Sequence, residues 1–370
     1  MKEEETSILE TAVPLLLQWF SGNSRDLPWR KNRDPYRILV SEFMLQQTRV
    51  ETVKPYFERF LTEFPTLESL AAASESRLLK LWEGLGYYQR VRSLQKAAQI
   101  VCSDFGGTIP ADYAALRTLP GVGDYTAGSV ASIAYGIPVP AVDGNVLRVL
   151  SRLLNRWDDI SSARTKNELR QITAEILPEE TPGTFNQAIM ELGALVCLPN
   201  SAVKCESCPL AVCCKAHKAG CAESLPVKAQ KKPRKIEPRT LLVCLTENGV
   251  LLTRRPTKGL LAGLWEYPNL PGFLFPKDVR RIVETEWLQA TGSYRLLQLP
   301  PARHIFSHLE WHFHAYLLYC APFAAPPSFM WTPLEELRKD FALPSAFQRY
   351  TVHLSRWEQE IGLAGKEREK

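Results

Sequence analysis

The sequence lacks a long apolar run, a targeting signal and an internal repeat. None of its apolar segments reaches the roughly 18 residues that a membrane-spanning helix needs, so we expect no contact with a membrane. The first residues, MKEEETS, are acidic and polar, which fits neither a secretory signal nor an arginine-rich transit peptide. These absences predict an intracellular protein, and we expect it in a bacterial cytoplasm.

Charge of one sign is not in large excess either. The net charge of +5 is compatible with a polyanionic partner, and equally with a slightly basic enzyme that binds no nucleic acid. With 45% hydrophobic and 23% charged residues, the composition is typical of a globular protein and excludes wholesale disorder. The length of 370 residues predicts two domains.

Cysteine, by contrast, is abundant and unevenly placed. Of nine cysteines, six fall within 25 residues: Cys197, Cys205, Cys208, Cys213, Cys214 and Cys221. In a reducing compartment such crowding indicates a metal or cluster site before it indicates disulfides. Four thiolates at this spacing suit zinc and an iron–sulfur cluster equally by chemistry. Because Cys213 adjoins Cys214, the fourth ligand is ambiguous.

Hydrophobic periodicity divides the chain into a helical part and a smaller α/β part. Apolar residues recur at helical spacing almost throughout residues 6–221. Beyond them the period changes to two, with a hairpin turn at Asn248-Gly249, a helix at about 277–290 and a strand in EWHFHAYLLY. We therefore predict an all-α domain over 1–225, a basic linker over 226–239 and an α/β domain over 240–362.

The stretch LPGVG, residues 119–123, places two glycines in front of a helix that is predicted to begin at about Asp124. The backbone N–H groups of such a turn bind anions, and a DNA phosphate is one natural ligand. The alternative is a tight corner between helices with no ligand. Asp143 precedes the next helix after a proline-containing loop, and its simplest role is that of an N-cap.

These residues resemble a known signature. LPGVG with Asp143 twenty residues past Gly123 resembles the helix-hairpin-helix plus Gly/Pro-Asp motif of base-excision DNA glycosylases. RDLPWR (25–30), SEFMLQQTRV (41–50), WEGLGYYQRVRSL (82–94) and FNQAIMELGALVC (185–197) resemble the MutY branch, the adenine DNA glycosylases. The cysteine spacing x7, x2, x5 is similar to the x6, x2, x5 spacing of the iron–sulfur loop in this branch. The resemblance implies a [4Fe–4S] cluster in loop 197–214, held by Cys197, Cys205, Cys208 and Cys214.

Tyr125 bears on which reaction to expect. Endonuclease III relatives carry a lysine at this position, which attacks the sugar as a Schiff-base nucleophile and goes on to cut the strand. A phenol cannot form an imine, so the resemblance implies an enzyme that removes a base and stops there. Short glycosylases without a second domain also carry a tyrosine, and this residue alone leaves the substrate open.

The resemblance also implies a division of roles. Glu42 lies on an apolar helical stripe with Ile38, Leu39 and Leu45, and burial there favours its protonated form. Glu42 is then the general acid that protonates adenine, and Asp143 stabilises the sugar cation. Tyr125 and Asn145 orient the sugar and water. The alternative for Glu42 is a carboxylate at the edge of the core, paired with an arginine.

Several further residues are implied to bind DNA. Gln47 and Tyr87 insert into the duplex from which the adenine is extruded. Arg25, Leu27, Trp29 and Arg30 form the adenine pocket, while Trp29 and Arg30 would equally suit a structural cluster. Gly121 and Gly123 bring backbone N–H groups to a phosphate.

The C-terminal part resembles the MutT-like Nudix domain of the MutY branch. Its helix KDVRRIVETEW lacks the R-E-x-x-E-E pattern that a Nudix hydrolase needs for its metal, so we expect recognition without a second active site. Phe306, Ser307 and His308 resemble the loop that reads 8-oxoguanine. The resemblance implies a monomer, associated with the nucleoid, that acts on double-stranded DNA with A:8-oxoG or A:G mispairs.

Two other interpretations stay open. One is an endonuclease III-like glycosylase/lyase or a thymine-mismatch glycosylase, against which Tyr125 and the second domain count. The other is a catalytically idle DNA-binding or redox-sensing iron–sulfur protein, which would have no need to keep both Glu42 and Asp143.

Overall fold

A computed structural model of the chain describes residues 3–229, 233–287, 294–321, 323–325, 327–357 and 359. The chain forms two compact units, Met1–Ala73 with Gln89–Lys231, and Ser74–Tyr88 with Lys232–Lys370. Within the described residues, no helix is both long and apolar enough to span a membrane.

The first unit is helical, as the hydrophobic periodicity predicts. Its helices are α1 (Glu3–Asn23), α2 (Pro35–Leu45), α3 (Val50–Glu63), α4 (Leu67–Ala71), α6 (Gln89–Asp104), α7 (Tyr113–Thr118), α8 (Asp124–Tyr135), α9 (Gly144–Leu153), α10 (Ala163–Glu175), α11 (Pro182–Leu195) and α12 (Lys215–Lys218). Between α4 and α6, the short helix α5 (Glu75–Leu81) belongs to the second unit.

Local sequence signals set the ends of the helices that matter most here. Asp34 caps α2 by accepting the N–H of Tyr36, and Pro35 occupies the first helical position, where no N–H is needed. α8 ends at Gly136, whose left-handed conformation (φ 69°) suits glycine. Asp143 is the N-cap of α9, as its position in the sequence predicts.

The centre of the helical unit is the packing of α9 against α1 and α11. Leu147, Leu150 and Leu153 of α9 are buried in one apolar cluster with Phe185, Ile189 and Leu192 of α11 and Leu9 and Leu16 of α1. Burial of a leucine-sized side chain contributes about 1.5–3 kcal/mol. The N-terminus of α9, where Asp143 lies, is therefore carried by a firmly packed helix.

The second unit is a mixed sheet flanked by short helices. Its elements are β1 (Lys235–Thr246), β2 (Gly249–Arg254), β3 (Trp265–Glu266), β4 (Asn269–Pro271), α13 (Pro276–Ile282), β5 (Tyr294–Ile305), β6 (Leu309–Cys320), β7 (Phe329–Thr332), α14 (Leu334–Asp340) and α15 (Gln348–Thr351). The strand order is β3-β2-β1-β6-β5, with β4 paired to β1 and β7 paired to β2. β1 and β6 are parallel, with Leu241 opposite Ala315, and the other pairs are antiparallel.

Three boundaries in this unit differ from the sequence-based expectations. Thr246 pairs with Gly249, so the hairpin turns at Glu247-Asn248 and Gly249 is the first residue of β2. Residues 235–239, predicted as linker, lie in β1 because they pair with residues 309–313 of β6. The helix expected at 277–290 is α13 followed by a π-helical turn, Val283–Trp287, while 288–290 lie outside the described residues.

Candidate active site

A cavity of about 570 Å³ opens in the helical unit where α2, α8, α9 and α11 meet. It is lined by Arg25, Leu27, Trp29, Arg30, Glu42, Leu45, Gln46, Gln47, Thr48, Val50, Tyr125, Ile133, Asp143, Gly144, Asn145, Gln187, Met190, Glu191 and Ala194. This set includes the four side chains predicted to be catalytic and five of those predicted to bind DNA. It contains no lysine.

Glu42 places a buried carboxyl group at the cavity wall. The side chain lies in the last turn of α2 and is 5% exposed. Its Oε1 accepts a hydrogen bond from Ser129 Oγ at 2.6 Å, whereas its buried Oε2 has no partner within the described part of the chain. Burial raises the pKa of Glu42, the Ser129 and Tyr125 hydroxyls oppose this, and Asp143 raises it further. The structure thus favours a neutral acid with one oxygen available to a ligand.

Asp143 is held in the opposite way, by several donors. Its Oδ1 accepts the backbone N–H groups of Asn145 and Val146, both at 2.9 Å, and its Oδ2 accepts the amide of Asn145 at 2.6 Å. Burial raises the pKa of Asp143 above its usual value, and these hydrogen bonds, which stabilise the carboxylate, offset part of that rise. The N-cap interpretation is therefore correct, and it is compatible with a role in the cavity.

Asn145 is fixed from two sides. Arg148 donates to its Oδ1 at 2.8 Å, so the amide nitrogen must face Asp143. On α11, a Cβ added to Gly193 would lie 2.6 Å from the Asn145 Cβ, which shows how closely the two helices approach. This contact leaves Asn145 little freedom to turn away from Asp143.

Tyr125, in the first turn of α8, closes the cavity beside both carboxyl groups. Its hydroxyl donates to Met190 Sδ at 3.4 Å. Burial, together with the neighbouring Glu42 and Asp143, raises the pKa of Tyr125 well above its usual range. The phenol is therefore neutral and is a hydrogen-bond donor, not a nucleophile.

A buried ion-pair cluster fixes the two arginines of the cavity. Glu191 on α11 is 1% exposed and accepts from the backbone N–H, Nε and NH2 of Arg25 at 2.8–2.9 Å and from NH2 of Arg30 at 3.0 Å. Although burial alone would raise it, these donors hold the pKa of Glu191 at about 2. Trp29 is also largely structural, since it is 7% exposed and packs edge-on against Phe57 with ring centroids 5.4 Å apart. Leu27 is 2% exposed.

The two glycines of the turn before α8 are not equivalent. Gly121 has a φ of +79°, and a Cβ there would lie 2.8 Å from the Phe43 ring and from the Ser93 Cβ. Gly123 has an ordinary φ of −91°, and a Cβ there would meet nothing within 4 Å. Gly121 is thus required by the fold, whereas the space beside Gly123 is open to a ligand.

Of the other predicted DNA-binding side chains, Gln47 lines the cavity, whereas Tyr87, Phe306, Ser307 and His308 are not part of its lining. Gln47 and Tyr87 are both exposed and share a left-handed backbone, with φ values of 58° and 48°. Phe306, Ser307 and His308 form the connection between β5 and β6, closed by a hydrogen bond from Phe306 N to Leu309 O at 2.8 Å. Ser307 and His308 are exposed, and their Oγ and Nδ1 atoms are 3.3 Å apart.

The cysteine-rich segment follows α11. All nine thiols are free, and within the described ranges no three His, Cys, Asp or Glu side chains are arranged to hold a metal ion. Burial raises the pKa values of the Cys205, Cys208 and Cys214 thiols, and the nearby Cys197 thiol raises each of them further. Burial also raises the pKa of Cys213, but Cys197 does not contribute there; Cys213 is 6% exposed, and its Sγ donates to Leu210 O.

Comparisons with known proteins match both units. The family model of the HhH-GPD superfamily base excision DNA repair proteins matches residues 40–175, and that of the NUDIX domain matches residues 240–352. The adenine DNA glycosylase of Mus musculus is 35% identical over 91% of this chain and 77% of the mouse protein. The chain belongs to the adenine DNA glycosylase family. It is accordingly a DNA N-glycosylase of the base excision repair class.

Adenine DNA glycosylases of other organisms also match the chain. The Homo sapiens protein is 35% identical over 87% of this chain and 70% of its own length, and that of Schizosaccharomyces pombe is 33% identical over 87% and 85%. Among solved structures, a thermostable thymine-DNA glycosylase superposes with a TM-score of 0.52 at 28% identity, covering 58% of this chain and 98% of its own. A non-covalent endonuclease III–DNA complex gives 0.51 at 26% identity, covering 60% and 99%.

Glycosylases of this superfamily commonly carry an iron–sulfur cluster, and the residues here suit one. Four thiols supply soft ligands. Beside them, Arg152 is 1% exposed, donates from NH1 to Cys197 Sγ at 3.3 Å, and has no partner for NH2 in the described chain. A buried cation with a spare donor suits a negatively charged group of iron, sulfide and thiolates.

Among the residues that sequence reasoning did not single out, Gln187, Met190 and Glu191 line the cavity, and Ser129 binds the Glu42 carboxyl group. Glu191 binds Arg25 across 166 positions of the chain, and Ser129 binds Glu42 across 87. Neither pairing leaves a local signal. FNQAIMELGALVC does place Gln187, Met190 and Glu191 at helical spacing, which in retrospect is the available signal.

Proposed function

We propose that the chain removes adenine mispaired with 8-oxoguanine, or with guanine, by hydrolysis of the N-glycosidic bond. The observation that carries this proposal is the pair of carboxyl groups in one cavity with opposite environments. Glu42 is buried with one unpartnered oxygen, whereas Asp143 accepts three hydrogen bonds. General-acid cleavage of a glycosidic bond requires one protonated and one ionised carboxyl group, and the three donors to Asp143 favour its ionised form.

Glu42 acts first, as the acid. Its proton passes to N7 of the extruded adenine, and the electron pair of the bond between C1′ and N9 leaves with the neutral base. The sugar becomes an oxocarbenium-like cation, which the Asp143 carboxylate stabilises in a site of low dielectric constant. Adenine is a poor leaving group as an anion, so this protonation makes its departure possible.

Water then completes the reaction. The Glu42 carboxylate formed in the first step accepts a proton from a water molecule whose oxygen bonds to C1′, which restores the acid. Asn145, turned towards Asp143 by Arg148, keeps the carboxylate in place, and the neutral Tyr125 hydroxyl donates towards the same space. The product is an abasic site.

The absence of an amine from the cavity lining supports a monofunctional enzyme. None of the residues that line the cavity in the described chain is a lysine, and the residue beside Glu42 and Asp143 is Tyr125. An imine with C1′ requires a neutral amine. We therefore expect no strand cleavage by the enzyme itself.

Binding of the duplex is assigned to the turn before α8, to Gln47 and Tyr87, and to the residues of the adenine pocket. Gly121 and Gly123 present backbone N–H groups to a phosphate, and Gln47 and Tyr87 fill the gap left by the extruded base. Arg25 and Arg30, which Glu191 fixes, form the wall against the adenine together with Leu27 and Trp29.

The second domain is proposed to recognise the partner base. Phe306, Ser307 and His308 would read 8-oxoguanine, and the α/β domain over 240–362 would perform no hydrolysis of its own. Base removal is assigned to the all-α domain over 1–225, and the segment 226–239 joins it to the α/β domain. We propose a monomer that acts at the nucleoid in a bacterial cytoplasm.

A [4Fe–4S] cluster is proposed as the cofactor, held by Cys197, Cys205, Cys208 and Cys214 with Cys213 excluded. When bound, it supplies four thiolate bonds that cross-link the loop after α11. Arg152 donates to Cys197 Sγ and offers its second NH2 group to the same negative charge.

The test is a single-turnover assay on an end-labelled duplex with one adenine opposite 8-oxoguanine, quenched with and without hot alkali. Cleavage only after alkali is expected, because the enzyme leaves an abasic site. Cleavage without alkali would support the lyase alternative. No product under either quench would contradict the adenine assignment, and G:T mismatches and oxidised pyrimidines would be tried next.

A further inference from the structure

A second cavity, of about 580 Å³, adjoins the candidate active site in the helical unit. Tyr125, Asp143 and Gly144 line both cavities, so these residues form the wall between them. In the proposed reaction, the first cavity binds the base and the shared wall contacts the sugar. Nothing in the proposed reaction uses the second cavity, although it is as large as the first.

Two lysines give the second cavity its charge. Lys166 on α10 and Lys228 both line it, both are exposed, and neither forms an ion pair within the described residues. Asp159 lies near Lys166, but its carboxylate already accepts hydrogen bonds from Ser161 and Ala229. The lysines are thus available to an anionic ligand.

The other charges on the wall largely cancel. Asp124 binds Arg170 at 2.5 Å and Arg117 at 2.7 Å, and it accepts the Tyr113 hydroxyl at 3.0 Å. Because both carboxylate oxygens are engaged, Asp124 does not compete for the lysines. The cavity therefore keeps an excess of positive charge next to Asp143.

The polar and apolar parts of this cavity match a stretch of DNA backbone. α10 has 13 residues and begins at Ala163 on the cavity wall, so the positive end of its dipole adds to the two lysines. Val142 and Ile160 provide an apolar surface that suits the deoxyribose edge. An extruded nucleotide brings its own phosphates with it, since they are bonded to its sugar.

We propose that this cavity binds a phosphodiester group flanking the extruded nucleotide, through Lys166 and Lys228. The inference rests on the proposed function, because Asp143 must lie at the sugar. It assigns the base to the first cavity, the sugar to the shared wall and the phosphate to the second cavity. The positive charge of the second cavity then stabilises the extruded nucleotide on the side away from its base.

The test is the salt dependence of binding to a duplex with a stable abasic analogue opposite 8-oxoguanine. Loss of one neutralised phosphate lowers the slope of log K against log salt by about 0.9. A Lys166→Ala/Lys228→Ala double variant is expected to lose about one unit of slope, and not two, because both lysines serve one phosphate. A fully paired duplex, from which no nucleotide is extruded, is expected to show no change.

Arg164→Ala is the matched control. Arg164 lies on the same helix, is 90% exposed, is already paired with Glu168 at 2.8 Å, and does not line the cavity. Its slope is expected to equal that of the wild type, and melting curves check that all variants are folded. An unchanged slope in the double variant, or an equal loss on the paired duplex, would overturn the proposal.

The outcome separates this inference from the proposed function. Binding to the abasic duplex does not require adenine removal, and the excision assay does not depend on the salt dependence of binding. A lower slope without adenine excision retains the phosphate site and rejects the function, while excision with an unchanged slope does the reverse.

Discussion

At the scale of single residues, the burial that keeps Glu42 protonated for catalysis also makes the stability of the fold depend on pH. Its pKa is raised by burial, so the neutral form is stabilised in the folded protein relative to the unfolded chain. The stability that it contributes is complete below the unfolded pKa of about 4.3, and it is lost as pH rises through the folded value. Above that value the buried carboxylate destabilises the fold. The active form has Glu42 neutral and Asp143 ionised, so we expect the rate to fall on both sides of an optimum.

We predict that Glu42→Gln removes activity and adds stability at alkaline pH. Glutamine cannot supply a proton, so single-turnover excision of adenine should fall by about 10²–10⁴. The melting temperature should exceed that of the wild type at pH 8 but not at pH 4, because ionisation of this carboxyl group stabilises the unfolded wild type at pH 8 while burial opposes ionisation in the folded state. Glu51→Gln, at a 75% exposed side chain, is the control and should change neither quantity appreciably. A melting difference that does not depend on pH would contradict the assigned pKa direction.

We also predict that alanine has different effects at the two glycines of the turn before α8. Gly121→Ala should cost about 2 kcal/mol in the free energy of unfolding, because it combines a positive φ with a 2.8 Å contact to Phe43. Gly123→Ala should leave stability within about 0.5 kcal/mol and weaken duplex binding, because its new Cβ occupies open space where a phosphate approaches. Denaturant unfolding and binding titrations measure the two effects. Unchanged duplex affinity in the stable Gly123 variant would favour the interpretation of the turn as a corner without a ligand.

At the scale of elements, α9 connects the two chemical features of the helical unit. Its N-terminus holds Asp143, and Arg148 donates to Asn145 Oδ1 at 2.8 Å and to Cys197 O at 2.8 Å. One turn later Arg152 reaches Cys197 Sγ. The cysteine-rich segment is thus hydrogen-bonded to the helix that positions the carboxylate, so loss of the segment's order should also disturb Asp143.

We predict that Cys213 and Cys214 respond differently to replacement by serine. Cys214→Ser should lose most of the bound iron, since its thiol lies close enough to those of Cys197 and Cys205 to interact electrostatically with them. Cys213→Ser should keep its iron and lose about 1–3 kcal/mol of stability, because it places a hydroxyl in the apolar core. Iron and acid-labile sulfide per chain, with melting curves, measure both. Loss of iron in the Cys213 variant alone would reverse the assignment of the fourth ligand.

The elements also show which features could be predicted from sequence. α8 and the start of α9 are set by Gly136 and Asp143, which act within their own turns, so sequence located both. The register of β1 against β6 depends on residues about 74 positions apart, and the first five residues of β1 therefore resembled a linker. The same limit applies to the site: the sequence indicated the signature residues that line the cavity, but the contacts of Glu191 with Arg25 and of Ser129 with Glu42 arise only when distant segments meet.

At the scale of the whole molecule, we propose that base removal and recognition of the partner base fall in different units. The cavity lies in the helical unit, which contains most of the HhH-GPD match, and the NUDIX match contains the turn at 306–308. Phe306 packs this turn against the apolar core of its unit. The Phe306 ring packs edge-on against Trp311 with centroids 5.0 Å apart, and the guanidinium groups of Arg239 and Arg255 lie 5.0 and 5.2 Å from the buried Trp311 ring. Removing exposed side chains from the turn should therefore leave its backbone in place.

We predict that a Ser307→Ala/His308→Ala variant loses discrimination between partner bases and keeps the chemistry. Excision of adenine opposite 8-oxoguanine should slow by about tenfold, equivalent to about 1.4 kcal/mol of lost hydrogen bonding. Excision opposite guanine should be unchanged, because Glu42 and Asp143 lie in the other unit. His353→Ala, at another exposed histidine of the same unit, is the control and should preserve the ratio of the two rates. An equal loss on both duplexes would mean that the turn serves general DNA binding, and recognition of 8-oxoguanine would then have to lie elsewhere in the chain.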